Sequence, residues 1–190
     1  ITPFNTKAPG AKNFDTEKTY NNVMNRFKWG GLDKPGLYID ETVMRMCYTH
    51  RHLFATLAMQ LIAEGQNAKA EKVLRKSEKV LPEYNVPYTF MSGASDLARA
   101  YALIGKKADA ARILNKVWAD AKSYADYYLQ LTGSRFMMSQ NDVLRQLYIM
   151  QNIADMTQAC DKNLADQRLK TVNALYAVYQ AKGGTPYQGE

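Results

Sequence analysis

Both histidines of the chain and one of its two cysteines fall within six residues, as Cys47, His50 and His52, and such a grouping raises the chemistry of a metal centre. On a helix Cys47 and His50 lie three apart and share a face, but His52 points elsewhere, and zinc needs about three or four convergent ligands. The expected roles are therefore structural, with Cys47 and Cys160 as two buried thiols. Serine-nucleophile motifs, glycine-rich phosphate loops and an HExxH pair do not occur. The carboxylate pairs Asp15/Glu17 and Asp40/Glu41 sit at predicted helix starts, where capping and the helix dipole account for them. No residue is assigned a catalytic, cofactor-binding or metal-ligating role.

A second constellation is electrostatic. Lys69, Lys72, Arg75, Lys76 and Lys79 fall largely on one side of a predicted helix, and the chain as a whole carries 25 basic against 18 acidic residues, a net charge of +7. A solvated outer face is the ordinary meaning of such a stripe, and Glu71 and Glu78 dilute its field. Contact with anionic lipid headgroups comes next, and nucleic acid is not expected as a partner. Among the 13 tyrosines, Tyr124, Tyr127 and Tyr128 are candidates to line a groove, against the plainer reading of rings in the core with hydroxyls at its edge.

The elements that must position these groups are helices. At 190 residues, with 46% apolar and 23% charged residues, the chain is one globular domain or a short repeat array. Glycine and proline are too few for many β-turns, so the fold class is all-α. Residues 1–13 read as an N-terminal arm or linker and 14–182 as one domain, with 183–190 as a loosely held tail. Asp15 or Thr16 caps a first helix that ends at Trp29-Gly30-Gly31, and Asp40 caps a second that runs to Glu64-Gly65 with Val43, Met44, Cys47, Leu57 and Leu61 on its apolar face. Asn67–Leu81 follows as an amphipathic helix stopped by Pro82, then Gly93–Ile104. The next helix carries Ala108, Ala111, Leu114, Val117 and Trp118 towards a break at Thr132-Gly133-Ser134. Two more helices, near Ser139–Cys160 and Leu164–Lys182, complete about seven. The longest apolar run is about half of the roughly 20 residues that a membrane span requires. A start of Ile1-Thr2-Pro3, with neither a basic nor an apolar leader, reads as a piece of a longer protein.

Two hairpins, about 41–82 and 93–131, share one register. With Gly65 set against Gly105, Leu57-Ala58 matches Leu97-Ala98, Leu61 matches Tyr101, Ala70 matches Ala110, Leu74 matches Leu114 and Ser77 matches Val117. Alanine at the crossing points lets paired helices approach closely, and glycine turns the chain between them. This order of large, small, aromatic, glycine, small and large positions resembles the tetratricopeptide repeat, although the two glycines are 40 residues apart instead of the usual 34 or so. The resemblance implies a right-handed array with flanking helices as caps, and a concave surface that binds peptide through Ala55, Met59, Ser95 and Arg99. That set lacks the Lys/Asn pairing of a carboxylate clamp.

Ahead of the repeats, Asn25-Arg26-Phe27-Lys28-Trp29-Gly30-Gly31-Leu32-Asp33, Gly36-Leu37-Tyr38-Ile39-Asp40-Glu41 and Met44-Arg45-Met46 look like the start of the soluble C-terminal region of a bacterial family of multi-pass membrane proteins of unknown function. That family is itself similar to GT-C-type protein O-mannosyltransferases. The similarity covers about residues 14 to 160 and includes Tyr127-Tyr128-Leu129 and Leu147-Tyr148-Ile149. It implies a non-catalytic domain on the periplasmic side of the inner membrane, with the catalytic and lipid-linked sugar sites upstream. Its partner would be a polypeptide or the parent's own membrane portion, against which the domain would otherwise act as a spacer. No cofactor is implied, and an independent helical enzyme is the remaining alternative.

Overall fold

The computed structural model describes residues 14–185, so the expectations for 1–13 and 186–190 lie outside the described residues. Within that span the protein is all-helical, with eight α-helices packed against one another and no strand.

Asp15 starts α1 (Thr16–Asn21) by accepting the Lys18 N–H at 2.9 Å, and a π-helical turn, Asn22–Arg26, prolongs it. The sequence predicts that this helix reaches Trp29, yet Phe27 is already extended. Val23 is the last residue of the turn sunk in the core, and Asn25 to Lys28 are exposed, so burial sustains no further turn. Trp29 instead stacks on Phe54 at 5.1 Å between ring centroids and meets the edge of His50 at 5.4 Å. It plugs the joint between this segment and α2 (Glu41–Ala63).

Asp40 caps α2 through the Val43 N–H at 3.0 Å. Val43 itself is exposed, as are most residues up to Met46, because α4 (Ala94–Leu103) begins beside His52 and leaves the first turns of α2 uncovered. Antiparallel to α2 runs α3 (Asn67–Val80), and α5 (Lys107–Gln130) returns along α4 in the same way. The two turns are alike. Gly65 and Gly105 adopt φ of +75° and +78°. The N–H of the next residue, Gln66 or Lys106, closes the helix end on Leu61 O or Tyr101 O at 2.8 and 2.9 Å. Every pair in the predicted register is buried, from Leu57/Leu97 to Ser77/Val117. Towards the start of α5 the buried positions are Ala110 and Ile113, whereas Ala108 is exposed and Ala111 half-buried. Covering a leucine in such a core contributes about 1.5–3 kcal/mol.

A third hairpin, α7 (Gln140–Thr157) with α8 (Lys162–Ala181), has no glycine in its turn, which closes on Thr157 O through the N–H groups of Cys160 and Asp161 at 2.9 and 2.8 Å. Helix α4 lies on both α2 and α3, and α7 and α8 lie on α5, so the hairpins stack in chain order. Helix α5 ends at Gln130, at the expected break, and Thr132-Gly133-Ser134 also opens a short helix that the sequence does not predict, α6 (Gly133–Met138), held by buried Phe136 against Tyr179. The start of the tail is also fixed, contrary to the sequence reading. Tyr179 donates to Thr185 O at 2.7 Å, and the Thr185 N–H and hydroxyl both reach Gln140 Oε1.

The inserted loop between the repeats is organised by a residue that the sequence reading passed over. Arg51 is fully buried on α2 and donates to four carbonyls, those of Leu81, Val86, Pro87 and Ser92, at 2.6–3.3 Å, while its guanidinium faces the Tyr88 ring. Burial pulls the Arg51 guanidinium below its ordinary value, yet the four acceptors stabilise its charge. The same loop is tied to the segment before α2, because Asn85 donates to Leu32 O and Lys34 O and Tyr84 donates to Asp33 O.

Candidate functional site

The stacking of hairpins leaves a groove between α4 and α7. It encloses about 540 Å³, with Ser95, Ala98, Arg99 and Ala102 on one wall, Asn152, Asp155, Met156 and Ala159 on the other, and Phe90 at one end. The α7 wall is a stripe at i, i+3 and i+4, continued by Ala159 in the turn that follows the helix, and it mixes amide, carboxylate, thioether and methyl groups. The opposite wall sets Ala98 and Ala102 among Ser95, Asp96, Arg99 and Leu103, so backbone-sized matter can lie close to α4 at the two alanines.

Two features of the α4 wall point outward chemically. The Ser95 hydroxyl oxygen is buried and has no hydrogen-bond partner within the chain. Arg99 is exposed and forms no ion pair among the described residues. The two carboxylates nearby are already engaged, since Asp96 pairs with His52 Nδ1 at 2.9 Å and Asp155 accepts from Gln151 Nε2. The groove therefore offers one free guanidinium and the amide oxygen of Asn152, whose Nδ2 already donates to Tyr148 O, with the unmet Ser95 hydroxyl just beneath the surface where a turn of its side chain presents it, an arrangement suited to binding a polar backbone.

Of the residues predicted to line such a surface, Arg99 and Ser95 do so. Ala55 is buried and Met59 is half-buried against the core, because α4 packs on α2. Tyr124, Tyr127 and Tyr128 are brought together elsewhere on α5. Tyr128 lies 5.3 Å from Tyr127 and 6.5 Å from Tyr124 between ring centroids, and the outer two rings are about half exposed. None of the three lines the α4–α7 groove.

The predicted basic face proves to be largely an internal fastening. Lys69 pairs with Glu17 of α1 at 2.6 Å, Lys76 donates to Met24 O at 3.2 Å, and Arg75 grips Asp109 of α5 with both terminal nitrogens at 2.8 and 2.6 Å. Glu71 and Glu78 do more than dilute the field and extend this into a ladder from α3 to α5: Glu71 with Lys106, Arg75 with Asp109, Glu78 with Arg112. Hydrogen bonding to Arg75 holds the Asp109 carboxyl below its ordinary range. Glu78 also accepts from Tyr101 and Tyr88, and burial together with that carboxylate raises the Tyr101 phenol well above its usual value. Lys72 and Lys79 alone of the five remain exposed without a partner among the described residues.

The interface then recurs one repeat on. Counting 40 residues from Arg75 and Glu78 gives Asn115 and Trp118, and both meet buried Arg168 of α8, at 2.5 Å to the Asn115 amide oxygen and 4.9 Å to the indole centroid.

Cys47, His50 and His52 do not converge. Cys47 is buried, His50 Nδ1 lies 2.7 Å from Met46 O, and His52 turns to Asp96. No group of three or more metal-ligating side chains occurs among the described residues, and none of their helices is long and apolar enough to cross a membrane. Comparison with known proteins finds no matching family model, no matching curated protein and no matching solved structure.

Proposed function

We propose that the chain is a non-catalytic interaction domain that holds an extended polypeptide segment in the α4–α7 groove. The observation that carries this reading is the pairing, on one groove wall, of an unmet Ser95 hydroxyl with an unpaired Arg99 guanidinium. A peptide carbonyl satisfies the first, a peptide carboxylate or carbonyl the second, and the alanine floor admits the backbone between them.

The same proposal sets this domain beside the membrane portion of a glycosyltransferase-like protein, on the periplasmic side, where it would position an acceptor polypeptide. That setting rests on the resemblance of the Trp29-Gly30-Gly31 and Tyr38-Ile39-Asp40-Glu41 segments alone.

Selection of random peptides on the full chain tests the binding role. Enriched peptides should lose at least about tenfold in affinity against Arg99→Glu and against Ser95→Tyr, which fills the floor, with the helical circular dichroism unchanged. A failure to enrich any sequence, or equal binding by both variants, would remove the proposal.

A further inference from the structure

A second groove, between α7 and α8, encloses about 700 Å³ and is lined by Leu144, Leu147 and Tyr148 on α7 and Val172 and Tyr176 on α8. Leu147 and Val172 form its floor at 4% and 6% exposure, while the Tyr148 ring stands 65% exposed at its rim. No residue of α5 lines it, so it opens on a face of the last hairpin that the preceding hairpin does not cover.

The internal repetition of the molecule identifies what such a face receives. Helix α4 lies on both helices of the first hairpin, and α7, joined by Arg168 of α8, lies on α5 of the second, each time with the first helix of a hairpin seated on the hairpin before it. With the starts of α5 and α8 aligned at Lys107 and Lys162, buried Ala110 falls on buried Ala165. Trp118 and Ala121 then fall on Asn173 and Tyr176. Ala121 is buried, and Trp118 is half-buried against the core with Arg168 over its ring. Their counterparts Asn173 and Tyr176 line the open groove. The stacking interface is thus repeated a third time with its seat open among the described residues.

Charge narrows the occupant further. Among the described residues Arg145 is the only charged side chain that lines the groove, and no carboxylate does.

We infer that the α7–α8 groove is a docking site for one amphipathic α-helix of a partner protein, with an apolar stripe against Leu144, Leu147 and Val172 and an acidic residue opposite Arg145. Apolar stripes of this kind seat in hydrophobic grooves by their i, i+3, i+4 and i+7 side chains, and the charge fixes the direction in which the helix lies. This site does not depend on the α4–α7 groove, and the two fail separately.

The test is a titration of the full chain with labelled synthetic helices of about 16 residues, roughly four turns. One carries a Leu/Ala stripe flanked by Glu, a second has Lys in place of Glu, and a third has the stripe scrambled. Anisotropy should show the Glu helix binding at least about tenfold more tightly than either control. Leu144→Asp should abolish that binding, Arg145→Glu should turn the preference towards the Lys helix, and Arg99→Glu should change nothing. Arg145 is exposed, so its variant keeps the question decidable even if Leu144→Asp unfolds. Equal binding of the scrambled helix, or an unaltered preference in Arg145→Glu, would overturn the inference. So would sedimentation showing a dimer of this chain that Leu144→Asp dissociates, since the occupant would then be a second copy.

Discussion

At the scale of single residues, Arg51 and Asp109 show how charge is used here. Arg51 supplies the donors for four carbonyls of the loop from Leu81 to Ser92, and each carbonyl left unmet in the interior costs about 1–3 kcal/mol. Arg51→Met should therefore lower unfolding free energy by at least about 3 kcal/mol in urea titration, and Arg51→Lys should rescue little of it, since one ammonium cannot span the four acceptors. A loss under about 1 kcal/mol would show that the loop finds other donors. Asp109 titrates below its ordinary value because of Arg75, so the pair stabilises the fold fully above about pH 4 and loses that contribution as pH falls through the lower folded value. Asp109→Asn should flatten the acid side of the stability curve while costing no more than about 1 kcal/mol at neutral pH, given that Arg75 is half exposed and screened. Curves of equal slope for variant and parent would contradict the role given to this pair.

At the scale of elements, the repeat is a statement about two equal turns. Gly65 and Gly105 share a left-handed φ with open space where a Cβ would stand, so alanine at either meets backbone strain and no clash. Each substitution should cost about 1–2 kcal/mol, and the two costs should agree within about 0.5 kcal/mol by denaturant unfolding. Unequal costs would mean that the two hairpins are not the same unit. These turns and the alanine crossings were legible in the sequence because they follow from local spacing. The two helices of the third hairpin were legible from their apolar period as well, but its kinship with the other two was not, since its turn uses Thr157 as acceptor and contains no glycine to align. Nor was α6, whose place depends on Phe136 finding Tyr179 across the chain. Arg51 left a trace that periodicity alone can find: it stands on the stripe of Cys47, Phe54, Ala55 and Ala58, where a charge must be buried. Arg168 stands likewise between Ala165 and Val172.

At the scale of the whole molecule, the basic stripe on α3 is not a free cationic face. Three of the five basic residues on α3 are spent on α1, α5 and the Met24 carbonyl, and Lys72 and Lys79 remain. At about 1 kcal/mol for each basic residue near an anionic surface, two give a dissociation constant well above about 1 mM. Lys72→Ala with Lys79→Ala should accordingly leave retention of the chain by vesicles with one-third phosphatidylserine unchanged at physiological salt, and a clear fall in cosedimentation would show that the α3 face is the membrane contact. Half of the binding groove was legible in the sequence, because Ser95 and Arg99 follow from the repeat register, whereas the α7 wall arises from packing that no local spacing encodes. Hydrogen exchange on the full chain, with and without a peptide enriched by selection, tests whether the α4–α7 groove holds polypeptide. Slowed exchange at Ser95 to Leu103 and Asn152 to Ala159, with α3 unchanged, is the predicted result. Slowing confined to α3, or none at either groove wall, would contradict the assignment of this chain as a polypeptide-binding array.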